Sequence, residues 1–205
     1  MKLSRNLPNQ LTVSRIIMIM VFVALANIDA GKINFVEISP AVSYCCHVIA
    51  YVIAILAGIT DFLDGKIARE YHFESDFGRL MDPLADKIFV ASTFIMLSDY
   101  RIIPAWIVVV ILAREFLITG LRQLALTDGV VIAADNSGKV KTVLQMGSLL
   151  IAGAGWIRLG GFDIFHPVIW KIWYGILLLM TFVTLYSGIS YCVKNYKLIR
   201  NKLQS

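Results

Sequence analysis

Between Pro40 and Thr60 the chain runs about 20 residues without an aspartate, glutamate, lysine or arginine, enough helix to cross the hydrocarbon core of a bilayer. Five further apolar runs repeat the theme at residues 11–28 (apolar after Arg15), 82–98, 102–124 (interrupted by Arg114 and Glu115), 139–156 and 172–193. The chain as a whole is 58% hydrophobic and only 16% charged, with a mean hydropathy of +0.74. That balance excludes an ordinary soluble domain. The expected fold is an all-α polytopic membrane protein, one domain over residues 1–205. It has six transmembrane helices, a short interfacial segment at 1–10 and a basic tail at 194–205. The first apolar run leads straight into the next without a small-residue cleavage site, so no removable signal peptide is expected. Cys45, Cys46 and Cys192 have neither disulfide nor metal-ligand spacing and read as apolar filler. Trp106, Trp156, Trp170, Trp173 and Tyr174 fall near the outer boundary or in the apolar spans just inside it, and read mostly as an interfacial belt.

Lysine and arginine set the orientation. With both termini on one side, that side carries fifteen of the nineteen basic residues, and the other keeps Lys32, Arg101, Arg158 and Lys171. The positive-inside tendency then puts both termini in the cytoplasm. It also accounts for the net charge of +5 without a nucleic-acid partner. Spans one, three, four and five carry charge at their cytoplasmic ends, whereas two and six do not. Charge inside a membrane normally faces the bundle interior or a wet cavity, so a polar cavity open to the cytoplasm is expected.

Half of the chain's fourteen acids lie in residues 61–86, DFLDGKIAREYHFESDFGRLMDPLAD. Carboxylates crowded at a membrane boundary lose hydration and repel one another, so the cluster needs a cation. The acidic stretch should end the second helix and open the third at about Asp82. On helices, Asp61 and Asp64 share a face, as do Asp82 and Asp86, and two antiparallel helices meeting at their cytoplasmic ends would gather all four. Oxygen-only ligands suit hard divalent ions, and a pair of such ions is a common device in phosphoryl transfer. Gly65 and Ala68 remove bulk nearby, and Arg69 is placed to meet a phosphate. A plainer reading makes Asp82 an N-cap with Pro83 at the first helical position, and pairs Asp86 with Lys87 or Arg79. His72 reads as a loop residue.

The pattern Asp61-x2-Asp64-Gly65-x2-Ala68-Arg69-x8-Gly78-x3-Asp82-x3-Asp86 resembles, without a gap, the signature of the CDP-alcohol phosphotransferases. The stretches LPNQLTVSR near the start, REFLITGLR from Arg114 to Arg122 and GKVKTVLQ from Gly138 to Gln145 look like the bacterial phosphatidylglycerophosphate synthases of that family. The resemblance implies six transmembrane helices, a homodimer in the bacterial cytoplasmic membrane and an active site on the cytoplasmic side. It implies that Asp61, Asp64, Asp82 and Asp86 bind two divalent metal ions, Mg²⁺ or Mn²⁺, with Asp86 also the general base. Asn9, Thr12, Gly65, Ala68, Arg69, Ser75 and Gly78 would hold CDP-diacylglycerol.

The reaction so implied passes the phosphatidyl group of CDP-diacylglycerol to sn-glycerol 3-phosphate and releases CMP. A phosphorylated acceptor needs its own positive site, for which Arg114, Arg122, Lys139 and Lys141 are the candidates. The last two open span five after Asn136-Ser-Gly, where free backbone N–H groups favour an anion; topology and headgroup snorkelling are the plainer roles of all four. Competing readings are a serine or inositol-phosphate acceptor, a membrane prenyltransferase and a cation transporter. Prenyltransferases carry two separated Asp-rich motifs, and a transporter would spread its ionisable groups to mid-membrane; here they gather at one end. The topology has a direct check: green fluorescent protein fused after Ser205 should fluoresce, and alkaline phosphatase inserted after Phe162 should be active. The reverse pattern would overturn the orientation.

Overall fold

The computed structural model describes residues 7–29, 38–71, 76–127 and 136–196, without the side chains of 7–11, 61–71, 76–80, 82–83, 126–127, 136–137 and 139. The described residues form six α-helices: α1 Leu7–Ala26, α2 Pro40–Tyr71, α3 Asp76–Asp99, α4 Ala105–Thr127, α5 Asn136–Trp156 and α6 Pro167–Lys194. A short 3-10 turn, Leu159–Gly161, precedes α6, and no strand occurs among the described residues. The chain forms two compact units, Met1–Met96 and Leu97–Ser205.

In the first unit α1 packs on α2. The buried residues of α1, Thr12, Arg15, Ile19, Phe22 and Ala26, recur every three or four positions and so make one stripe. Those of α2, Ser43, Ala50 and Ala57, recur every seven and are small, which lets two helix backbones approach closely in a membrane. Ser43 Oγ donates to the Ile28 carbonyl at 3.1 Å, so α2 starts where α1 ends and runs back along it. Asn27 Nδ2 donates to the Val23 carbonyl at 2.8 Å and to Met96 Sδ at 3.7 Å, tying the far end of α3 to the same place. The start of α1, the end of α2 and the start of α3 therefore share the opposite end of this unit.

Helix boundaries around the acidic stretch differ from the sequence expectation. α2 does not stop at Thr60 but continues to Tyr71, and α3 opens at Asp76, ahead of Asp82. Polarity does not break a helix. The segment after Thr60 carries the good helix formers Leu63, Lys66, Ala68, Arg69 and Glu70, which offset the weaker Asp61, Phe62, Asp64 and Gly65. Pro83 correspondingly lies inside α3 rather than at its first turn, which removes the N-cap reading of Asp82. The ring has no N–H for the carbonyl four residues back, a local weakness in the ladder.

In the second unit α6 packs on both α4 and α5. Its buried stripe is Trp173, Leu177, Met180, Thr181, Thr184, Ser187 and Tyr191, apolar at the start and polar at the finish. The apolar end is pinned. Arg101 takes a left-handed φ of 60° and closes α3 as a C-cap, with Ile102 N–H donating to the Leu97 carbonyl at 3.0 Å. Trp173, 2% exposed, donates its indole N–H to the Ile102 carbonyl at 2.8 Å. Trp173 is thus a buried strut between α6 and the turn before α4, not a member of an interfacial belt; Trp106 by contrast is exposed. The Tyr100 and Trp156 rings meet at 5.1 Å.

The outward faces are apolar. On α6 they show Val168, Ile172, Leu179, Phe182, Ile189 and Val193, a surface suited to lipid rather than water. Pro40–Thr60 and Pro167–Lys194 are long and apolar enough to cross a membrane. Close packing at the pinned end makes a test. A Cβ on Gly155 would sit 2.7 Å from Ile164 Cβ, whereas one on Gly120 would meet nothing within 4 Å. Gly155→Ala should cost about 1–3 kcal/mol and lower the unfolding temperature in detergent, while Gly120→Ala should hold or raise it.

Candidate active site

A contact between α2 and α3 lies close to the acidic positions. A Cβ on Gly58 would stand 3.8 Å from Phe89 Cζ, and Phe89 is buried. The two helices run in opposite senses at 1.5 Å per residue. From that contact Asp61 and Asp64 lie three and six residues along α2, and Asp86 and Asp82 three and seven residues back along α3. The backbones therefore carry all four acids to one end of the first unit, the end where α1 begins. The side chains of Asp61, Asp64, Asp82, Asn9, Gly65, Ala68, Arg69 and Gly78, and the whole of Ser75, lie outside the described residues.

Two predicted residues of this region are described. Thr12 is buried on the α1 stripe beside Arg15. Asp86, about one-third exposed, lies 3.2 Å from Lys87 Nζ, one of the pairings the plainer reading foresaw. A partly exposed pair contributes only about 0–1 kcal/mol, so it neither explains the acidic cluster nor fixes Asp86. Among the described residues no three His, Cys, Asp or Glu gather as metal ligands; three of the four acids stand outside that set. The test of fit is the donor chemistry: four carboxylates at one end of the first unit, with no thiolate or imidazole at the fixed positions of the motif. That set fits a hard divalent cation.

The predicted cations are in the second unit, and the structure joins three of them. Arg114 on α4 donates from Nη2 to Ser187 Oγ at 2.7 Å, and its Nη1 lies 3.6 Å from Glu115 Oε1. Lys141 on α5 donates to the same carboxylate oxygen. The Arg114 stem passes so close to α6 that a Cβ on Gly188 would be 3.1 Å from its Cγ, and its Nη2 lies 3.9 Å from where Gly138 would carry one. Arg114 thus reaches the first turn of α5 and the backbone of α6 together. Arg122, two turns further along α4, sits over the Tyr191 ring at 5.5 Å. The Lys139 side chain lies outside the described residues.

One carboxylate shared by Arg114 and Lys141 leaves this cluster net positive before Arg122 is counted. The positive end of the α5 dipole adds to it. Such an arrangement accommodates an anion. Sequence reasoning named Arg114, Arg122 and Lys141 but gave Glu115 no part, and passed over Ser187 and Tyr191. Glu115 was findable, as an acid within an apolar span facing two candidate cations. Ser187 and Tyr191 gave no signal beyond their four-residue spacing on α6. Glu115→Gln leaves two largely buried cations without their carboxylate and should lower stability by roughly 3–5 kcal/mol, read as a large fall in unfolding temperature.

Known proteins resemble this chain along nearly its whole length. It is 34% identical over 200 residues to the CDP-diacylglycerol–glycerol-3-phosphate 3-phosphatidyltransferase of Bacillus subtilis, covering 95% of this chain and 97% of the relative. It is 36% identical over 199 residues to the transferase of the same name from Rickettsia bellii, covering 96% and 100%. A probable phosphatidylglycerophosphate synthase of Mycobacterium tuberculosis is 37% identical over 140 residues, 68% of this chain and 62% of its own. The family pattern itself runs across residues 5–186, through the four acids and through Arg114, Arg122 and Lys141 alike, and the chain belongs to the CDP-alcohol phosphatidyltransferase family.

Proposed function

We propose that this chain transfers the phosphatidyl group of CDP-diacylglycerol to sn-glycerol 3-phosphate, yielding phosphatidylglycerophosphate and CMP. The observation that carries the reading is identity over almost the entire chain with transferases named for that reaction. The net-positive cluster around Arg114 supports a phosphorylated acceptor over serine. In this reading the chain is one catalytic domain with six membrane spans, set in the bacterial cytoplasmic membrane as a homodimer. Both termini and the active site face the cytoplasm, as the basic residues favour.

Asp61, Asp64, Asp82 and Asp86 would hold two divalent ions, Mg²⁺ or Mn²⁺. When bound, these neutralise the diphosphate and make its lipid-side phosphorus more electrophilic. Gly65, Ala68 and Gly78 leave room for the cytidine diphosphate, with Asn9, Thr12, Arg69 and Ser75 as its polar partners. Arg114, Arg122, Lys139 and Lys141 hold the phosphate of the acceptor and so orient its free 1-hydroxyl. Asp86 takes the proton of that hydroxyl as its oxygen bonds to phosphorus, while the bond from phosphorus to the CMP oxygen breaks. The acyl chains stay in lipid throughout, which is a physical reason for performing this chemistry on a membrane-embedded scaffold.

Purified protein supplied with CDP-diacylglycerol and a panel of acceptors should release CMP with glycerol 3-phosphate. It should release little with serine or inositol phosphate, and none after chelation until Mg²⁺ or Mn²⁺ is restored. Release with another acceptor alone would reassign the substrate, and no release with any would turn the reading towards transport. Asp86→Asn should lower kcat by about 10²-fold or more. Lys139→Ala should raise the KM for glycerol phosphate about tenfold, in line with a lost charged hydrogen bond, and leave the KM for the liponucleotide nearly unchanged.

A further inference from the structure

The inner stripe of α6 ends on Tyr191, which is 3% exposed. Its hydroxyl has no hydrogen-bond partner among the described residues, and neither have Nε of Arg114 and Nε of Arg122. A buried polar atom left in that condition is costly, and native proteins retain few of them. These three share a place. Tyr191 lies one turn beyond Ser187, which takes a hydrogen bond from Arg114. The guanidinium of Arg122 stands over the Tyr191 ring at 5.5 Å, and Arg114 lies within Coulombic range of both Arg122 and Tyr191. They also share a chemical sense. An arginine Nε can only donate, and a phenol can donate. Neighbouring donors, two of them cationic, call for an occupant rich in acceptor oxygens and negatively charged.

We propose that Tyr191 is a binding residue for the acceptor's phosphate, its hydroxyl donating to a phosphate oxygen held also by Arg114 and Arg122. The inference rests on the acceptor reading given above and adds a neutral donor from α6 to the cations of α4 and α5. The ring and the hydroxyl have separate tasks: the ring face steadies the Arg122 guanidinium, and the O–H binds the anion. A purely structural tyrosine would need only the first.

Tyr191→Phe keeps the ring and removes the donor. In the purified full chain it should raise the KM for glycerol 3-phosphate about tenfold or more, the loss expected for one hydrogen bond to a charged group. The KM for CDP-diacylglycerol and kcat should stay within about twofold, since the lost contact holds the acceptor equally in the ground state and the transition state. Binding supplies a readout independent of turnover. Glycerol 3-phosphate and inorganic phosphate should each raise the unfolding temperature of the wild-type protein and glycerol should not, and Y191F should lose most of that response. An unchanged KM together with an unchanged phosphate response overturns the assignment. If the wild type binds phosphate but releases no CMP with glycerol 3-phosphate, the acceptor reading fails, while the phosphate response still decides the role of Tyr191. Should Y191F not fold, nitration of the wild type with tetranitromethane replaces it. Phosphate should slow modification of Tyr191 but not of the exposed Tyr186 and Tyr196; equal slowing, or none, removes the proposal.

Discussion

A charge taken out of water loses more than a single partner returns, so it is tolerated in an apolar bundle only where several groups converge on it. Much of this molecule follows from that condition. The outward faces of its helices are given over to large apolar side chains, which leaves the charged residues of the spans to be collected on inner faces and at helix ends. Glu115 is the clearest case. It is 4% exposed and answers both Arg114 and Lys141, so that α4 and α5 are joined through a carboxylate where the backbones themselves leave room. α6 contributes no charge here, but Ser187 and Gly188 supply a hydroxyl and a close approach to the same arginine.

The two ends of the second unit divide the labour. At one end an indole, two aromatic rings and a glycine packed under Ile164 hold the helices together. At the other, hydroxyls and cations replace them along the same helices. Thr181 and Thr184 turn their hydroxyls back to carbonyls one turn earlier, each at 2.7 Å, and so are spent on their own helix. Ser187 is the first position of the stripe whose hydroxyl serves a neighbouring helix. An apolar clamp with a polar mouth is a scaffold that can stay rigid while its far end receives a charged ligand.

The helices and the acidic motif could be read from the sequence because both are written in spacing. Apolar runs located the six helices, with bounds within a few residues outside the acidic stretch, and on a helix the intervals between Asp61, Asp64, Asp82 and Asp86 put each pair on one face. Boundaries within the acidic stretch are not written in that spacing: polarity does not stop a helix, and Leu63, Lys66, Ala68, Arg69 and Glu70 carry α2 on to Tyr71. Trp173 was misjudged because a tryptophan near a membrane edge is usually amphipathic filler; only the fold reveals the Ile102 carbonyl it satisfies. The partners of Arg114 were illegible for a similar reason. Ser187 and Tyr191 lie far along the chain, and nothing local distinguishes a serine that meets an arginine from one that meets itself.

The Gly58–Phe89 contact bears on how such a motif can drift over evolutionary time. Lengthening the connection between Tyr71 and Asp76 leaves the spacing of each acid from that contact untouched. One residue inserted between Gly58 and Asp61, however, would swing both following acids about 100° around the helix axis relative to the contact. Added length should therefore be least disruptive in the connection, while the intervals inside each half of the motif fix where its acids stand on their helix.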